Sequence, residues 1–160
     1  MKELVDKLGR GDVSELVSQQ GDAGAAEARN RALNLACPHC HAVYAEFDGC
    51  MALQCASCTG SFCGYCHKGV ANSRGCHDHV RECDMNLTPN GSYYADAAVI
   101  KEAQRRYRIK RLKQFLRSGE YKKDVQNAII FKLSADLKDL FIDPAALFDV
   151  GNLQGDEAVH

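Results

Sequence analysis

The stretch CPHCHAVYAEFDGCMALQCASCTGSFCGYC, Cys37 to Cys66, decides how this chain folds. It holds three Cys-x2-Cys pairs: Cys37 with Cys40, Cys55 with Cys58, and Cys63 with Cys66. Beyond it lie Cys76, His77, His79 and Cys83. A Cys-x2-Cys turn brings both sulfurs to one side of the backbone, within bonding distance of one tetrahedral ion. Two closed zinc sites need eight Cys or His ligands. Sequential pairing assigns Cys37, Cys40, Cys55 and Cys58 to a first site, and Cys63 and Cys66 with two later ligands to a second. For those last two positions the H-x3-C spacing favours His79 and Cys83. Cys76 with His79 is the leading alternative, and His77 is a further candidate.

Whichever of these ligand sets holds, Cys50 is left over. It stands alone between the first two pairs, in the turn-like Phe47-Asp48-Gly49-Cys50. A thiol held beside a metal scaffold without serving it is a candidate nucleophile. Strands are expected at 42–46 and 51–54, separated by the Asp48-Gly49 turn signal, which places Cys50 at the lip of a hairpin.

The metal reading competes with a secreted disulfide framework, because the chain has nine cysteines. Met1-Lys2-Glu3-Leu4-Val5-Asp6-Lys7 carries charges where a signal peptide needs an apolar run. No apolar stretch approaches a membrane span. A cytoplasmic or nuclear location is therefore expected, where clustered Cys-x2-Cys pairs read as zinc.

Around the cysteine-rich segment the pattern is helical. Residues 1–36 read as a helical and linker segment. Leu4, Val5, Leu8, Val13, Leu16 and Val17 recur at helical spacing, Gly21-Asp22-Ala23-Gly24 marks a linker, and a short helix runs from Ala25 to Leu35. Residues 37–92 form the two-zinc domain, too poor in apolar runs to fold without metal. Residues 93–160 form a helical extension. One helix there is capped by Ser92 and runs to about Arg117, a second runs from about Lys123 to Phe141, and a third starts at Asp143-Pro144 and runs to Val150. The overall expectation is an α+β chain: a small zinc-stabilised domain with short β-hairpins, flanked by α-helices.

Net charge is −1, but basic residues crowd the stretch from Lys101 to Lys123. Such a block is a solvated helix face or a docking surface for an acidic partner. Nucleic acid is not the expected partner, because in the zinc segment Lys68, Arg74 and Arg81 are outnumbered by acidic residues.

The string Cys-x2-Cys-x9-Cys-x4-Cys-x2-Cys-x4-Cys-x2-Cys resembles the catalytic Rcat domain of RING-between-RING (RBR) E3 ubiquitin ligases. Gly49-Cys50-Met51 is similar to the segment around that family's active-site cysteine, and Phe62-Cys63 to the aromatic-Cys opening its second zinc site. The resemblance covers residues 37–83 and implies an enzyme with two zinc ions. Cys50 would accept ubiquitin from an E2 conjugating enzyme as a thioester and pass it to an amine on a protein substrate or another ubiquitin. Many members place a His two residues after the catalytic cysteine as general base. Here that residue is Ala52, leaving His41, His67 and His77 to stand in. The family also carries two upstream zinc modules that this sequence lacks. Residues 140–150 are similar to the closing helices that follow Rcat in the ligase of linear ubiquitin chains. The rival reading is a non-catalytic in-between-RING-type zinc module that mediates protein interactions, in which Cys50 is buried or metal-bound.

Overall fold

A computed structural model describes residues 10–45, 49–88, 90–118 and 121–148, with side chains from Val13 onward. The helical positions expected at Leu4, Val5 and Leu8, and the end of the last helix at Val150, lie outside the described residues. In chain order the elements are α1 (Arg10–Ala28), a π-helical turn (Arg29–Leu33), β1 (Ala52–Gln54), β2 (Ser61–Cys63), β3 (Gly69–Val70), α2 (Ser73–Glu82), α3 (Ala97–Ser118), α4 (Lys123–Lys132), α5 (Ser134–Asp139) and a 3-10 turn (Pro144–Leu147). The chain divides into two compact units, one of residues Leu33–Lys110 and the other of Met1–Ala32 with Arg111–His160. No helix among the described residues is long and apolar enough to cross a membrane.

In the first unit a three-stranded antiparallel sheet is ordered β1-β2-β3, with Leu53 opposite Phe62 and Phe62 opposite Gly69. Both reversals are made by cysteine loops. Between β1 and β2 the Cys55 N–H donates to the Gly60 carbonyl at 2.9 Å, and between β2 and β3 the Cys63 N–H donates to the Lys68 carbonyl at 3.0 Å. Asp48 lies outside the described residues, and among those described 42–45 and 51–54 do not pair with each other. Val43 bridges back to Ala36, and Cys50 bridges forward to Tyr94. The physical reason is that a Cys-x2-Cys loop is itself a tight reversal, so the pairs of strands form across the cysteines.

Helix α2 opens on Asn72, whose side chain accepts the Gly75 N–H at 2.7 Å. Cys76 and Val80, four apart on one face, enter a core with Met51, Tyr65, Cys63 and Ala103. A second cluster of Cys37, Leu53, Cys55 and Phe62 lies under the first metal group. Helix α3 starts four residues later than expected from a cap at Ser92. Its cap is Asp96, whose carboxylate accepts the Val99 N–H at 2.9 Å. Ser92 instead accepts the Tyr94 N–H on its hydroxyl, holding an extended strap beside Cys50.

In the second unit α1 runs straight through the expected linker. Gly21 and Gly24 are there for close approach to α4, not for flexibility: a Cβ at Gly21 would sit 2.8 Å from Ala128 Cβ, and one at Gly24 would sit 2.5 Å from Ile129 Cδ1. Ion pairs of Lys132 with Asp22 and of Arg29 with Asp136, both at 3.1 Å, flank that contact. Gly21→Val would force the two backbones apart and cost about 1–3 kcal/mol. Its expected signature is a lower thermal midpoint of the helical circular dichroism signal with unchanged metal content. An unchanged midpoint would contradict this packing.

The single helix expected over 123–141 is divided into α4 and α5 at Leu133. Phe141 then ends α5 in the left-handed region, at φ 56°, with the Ile142 N–H closing onto the Leu137 carbonyl at 2.8 Å. Asp143 caps the following turn as expected, through the Ala145 N–H at 2.9 Å, but that turn is 3-10.

The basic block on α3 is partly structural. Arg108 donates to the Leu33 carbonyl at 2.8 Å, and Arg111 to the Arg31 carbonyl at 3.2 Å. Both guanidinium groups satisfy carbonyls at the end of the π-helical turn, which has no intrahelical donors for them. Arg105 and Arg106 share the Glu102 carboxylate, which they hold down at about pKa 2.

Candidate metal centres and the free thiol between them

Three Cys-x2-Cys loops adopt one local structure. In each, the residue after the second cysteine turns its N–H back to the carbonyl of the first: His41 to Cys37 at 2.9 Å, Thr59 to Cys55 at 2.9 Å and His67 to Cys63 at 2.8 Å. That reversal requires a left-handed residue, and these three sit at φ 64°, 61° and 60°. None is glycine, and for β-branched Thr59 the conformation is strained. Backbone N–H groups then point at sulfur. His39 N–H approaches Cys37 Sγ, Ser57 N–H approaches Cys55 Sγ and Gly60 N–H approaches Cys58 Sγ, each at 3.4 Å. Donors aimed at sulfur favour thiolate over thiol, the form a metal takes.

The loops gather two four-ligand groups, Cys37, Cys40, Cys55 and Cys58, and Cys63, Cys66, His79 and Cys83; within each group the ligand atoms all lie within 4.8 Å of one another. Each group can hold one metal ion. In the first, Cys37 Sγ lies 3.7 Å from Cys58 Sγ, and Cys40 Sγ lies 3.6 Å from Cys55 Sγ. A tetrahedron with metal–sulfur bonds of about 2.3 Å has sulfur–sulfur edges of about 3.8 Å. A disulfide would need about 2.05 Å, and all nine cysteines are free. In the second group Cys66 Sγ lies 3.2 Å from His79 Nε2. His79 and Cys83 are one helical turn apart at the end of α2, so they face the Cys63 loop together.

The charge state of these groups makes the same point. The Cys58 and Ser57 N–H groups, helped by the thiols of Cys40 and Cys37, lower Cys55 to about 6. The Gly60 N–H pulls Cys58 down, but burial and the thiols of Cys40, Cys37 and Cys55 together push it up to about 12. In the second group, hydrogen bonds from Cys63 first and then Cys83 lower the Cys66 thiol, whereas Cys66 first and then Cys83 raise Cys63. In each crowd of thiols one anion, at Cys55 or Cys66, is favoured at the expense of a neighbour, Cys58 or Cys63. A divalent ion removes that conflict.

Cys76 and His77, the alternative ligands, stand outside both groups. Cys76 is buried in the core, and burial pushes its thiol up to about 11. His77 turns to Cys50. The Cys50 thiol is half-buried, 3.8 Å from His77 Nε2 and 3.7 Å from the Ala52 carbonyl. His77 Nδ1 lies 2.7 Å from the Ser73 carbonyl. A carbonyl only accepts, so Nδ1 carries a proton, and in the neutral ring it is Nε2 that presents its lone pair to the thiol. The Tyr93 ring meets the His77 ring edge-on, with centroids 4.8 Å apart.

The two other candidate histidines have different surroundings. His41 is an exposed loop residue. His67 is buried between Tyr44, to whose hydroxyl it is hydrogen-bonded, and Tyr107, on which it stacks at 3.9 Å. His77 is 27 residues from Cys50 in sequence, and only the docking of α2 brings the two together.

Comparison of this chain with family models, curated proteins and solved structures finds no match.

Proposed function

We propose that this chain is a transthiolating E3 ubiquitin ligase catalytic domain of the RBR type, with Cys50 as the acyl-accepting nucleophile. One observation carries the reading: the only part-exposed thiol outside the two metal groups faces a histidine whose tautomer is set to take its proton. The resemblance of the Gly49-Cys50-Met51 segment to the Rcat active site supports the choice of ubiquitin as the acyl group. The partners are then ubiquitin, a charged E2 and a protein substrate. The Cys/His donor sets, rich in thiolate and tetrahedral in spacing, suit zinc. Zinc bound by four protein ligands in each group supplies folding energy and no open coordination position.

The steps balance on this chain's own groups. Cys50 gives its proton to His77 Nε2 and attacks the carbonyl carbon of the E2 thioester. The new C–S bond forms, the E2 C–S bond breaks, and the departing E2 thiolate takes the proton from His77, which returns to its neutral form. An amine then attacks the Cys50 thioester and loses a proton to His77. The C–S bond breaks, and Cys50 leaves as the thiol after taking a proton back. His77 thus fills the role left open by Ala52.

Single-turnover discharge of a ubiquitin-charged E2 onto free lysine tests the proposal. The wild-type chain accelerates discharge, and His77→Ala slows it by about a hundredfold with metal content unchanged. No acceleration over the E2 alone would contradict the reading.

A further inference from the structure

Cys50 and His77 reach each other from separate pieces of chain, so something must hold those pieces in register. Cys50 precedes β1 and is paired to the strap Ser92–Ala95: Met51 N–H donates to the Tyr93 carbonyl at 2.6 Å, and Ala95 N–H to the Gly49 carbonyl at 2.9 Å. His77 belongs to α2. Between strap and helix stands Asn86. Its Nδ2 donates to the Val80 carbonyl near the end of α2 at 2.8 Å and to the Ser92 carbonyl at the start of the strap at 3.0 Å. Its Oδ1 accepts from the Thr88 N–H at 2.9 Å and the Thr88 hydroxyl at 2.6 Å. Its own N–H donates to the carbonyl of Cys83, a residue of the second metal group, at 2.9 Å.

We propose that Asn86 is a positioning residue that sets the Cys50–His77 contact by locking the strap to α2, an inference that rests on the role given above to that pair. A helix-capping residue needs only the Val80 carbonyl. The second bond, from the same nitrogen to Ser92, is what extends the lock to the strand partner of Cys50. Two donors on one planar amide leave at a fixed angle, so the spacing of the Val80 and Ser92 carbonyls is set by the side chain itself. With Oδ1 doubly bonded to Thr88, the amide cannot flip. The second metal group, α2 and the nucleophile's strap thereby share one polar network.

The test is the rate at which iodoacetamide alkylates Cys50 in the metal-loaded full chain, with the site located by peptide mass mapping. Asn86→Asp keeps size and acceptor capacity but removes both donors. It is expected to slow alkylation about fivefold, and to have no further effect when His77→Ala is already present. Thr88→Val, which keeps the backbone bond to Oδ1 but removes the hydroxyl that holds Oδ1 and also lies 3.2 Å from the Ser92 carbonyl, should give a smaller loss with the same dependence on His77. An unchanged rate, a faster one, or an equal loss with and without His77 would overturn the inference. Should Asn86→Asp fail to retain metal, the Thr88→Val pair decides by the same criteria. No ubiquitin enters this assay, so an inactive ligase and a mistaken lock give different results.

Discussion

Removal of metal by a chelator unfolds residues 33–110 while the helices of the other unit keep their circular dichroism signal. The strands contain only three, three and two residues. Both reversals between them are cysteine loops, and the cysteines themselves fill much of the core. A structural zinc site contributes about 10–16 kcal/mol of apparent folding free energy at neutral pH. A small domain holds only about 5–15 kcal/mol in all, so if both four-ligand groups hold zinc as proposed, losing the two ions leaves nothing to hold this unit folded. In the other unit α1 and α4 pack through Gly21, Gly24, Ala128 and Ile129 without any metal ligand. Chelation followed by circular dichroism and metal analysis checks this. A folded, metal-free unit with intact near-ultraviolet signal would contradict it.

On the proposed function, Cys50→Ser is expected to abolish ubiquitin transfer, by on the order of a thousandfold or more, and to leave metal content unchanged. Sulfur is replaced by a far weaker nucleophile at neutral pH, whereas both four-ligand groups stay complete. Serine at this position also traps an acyl group as the more stable oxyester. Cys63→Ser does the reverse, costing metal and folding before chemistry, because Cys63 is both a ligand-group member and a core residue. Transfer assays paired with metal analysis separate the two. Loss of metal from Cys50→Ser would make Cys50 a ligand.

Spacing alone made the cysteine pairs legible, since a Cys-x2-Cys turn is a local structure. His79 and Cys83 were legible as the favoured pair from their H-x3-C spacing, and the helix that sets them one turn apart was not. The fate of Gly21 and Gly24 was not, because a glycine packed against Ala128 reads in sequence like a glycine in a linker. The partner of the strand expected at 51–54 was not legible either, because it pairs across the Cys55 reversal and not with 42–45. His77 was legible only as one of three histidines that could stand in for the base: its neighbour Cys50 is met through tertiary docking of α2, and no periodicity encodes that. Arg108 and Arg111 read as surface charge until their carbonyl partners at Leu33 and Arg31 were in view.

The central claim is that Cys50 carries the acyl group. Intact-mass measurement of the chain, quenched seconds after mixing with a ubiquitin-charged E2, tests it most directly. The account predicts a species heavier by one ubiquitin, removed by a thiol reductant, mapped to Cys50 and missing in Cys50→Ala. A chain that stays unmodified, or an adduct that persists in Cys50→Ala, would contradict it.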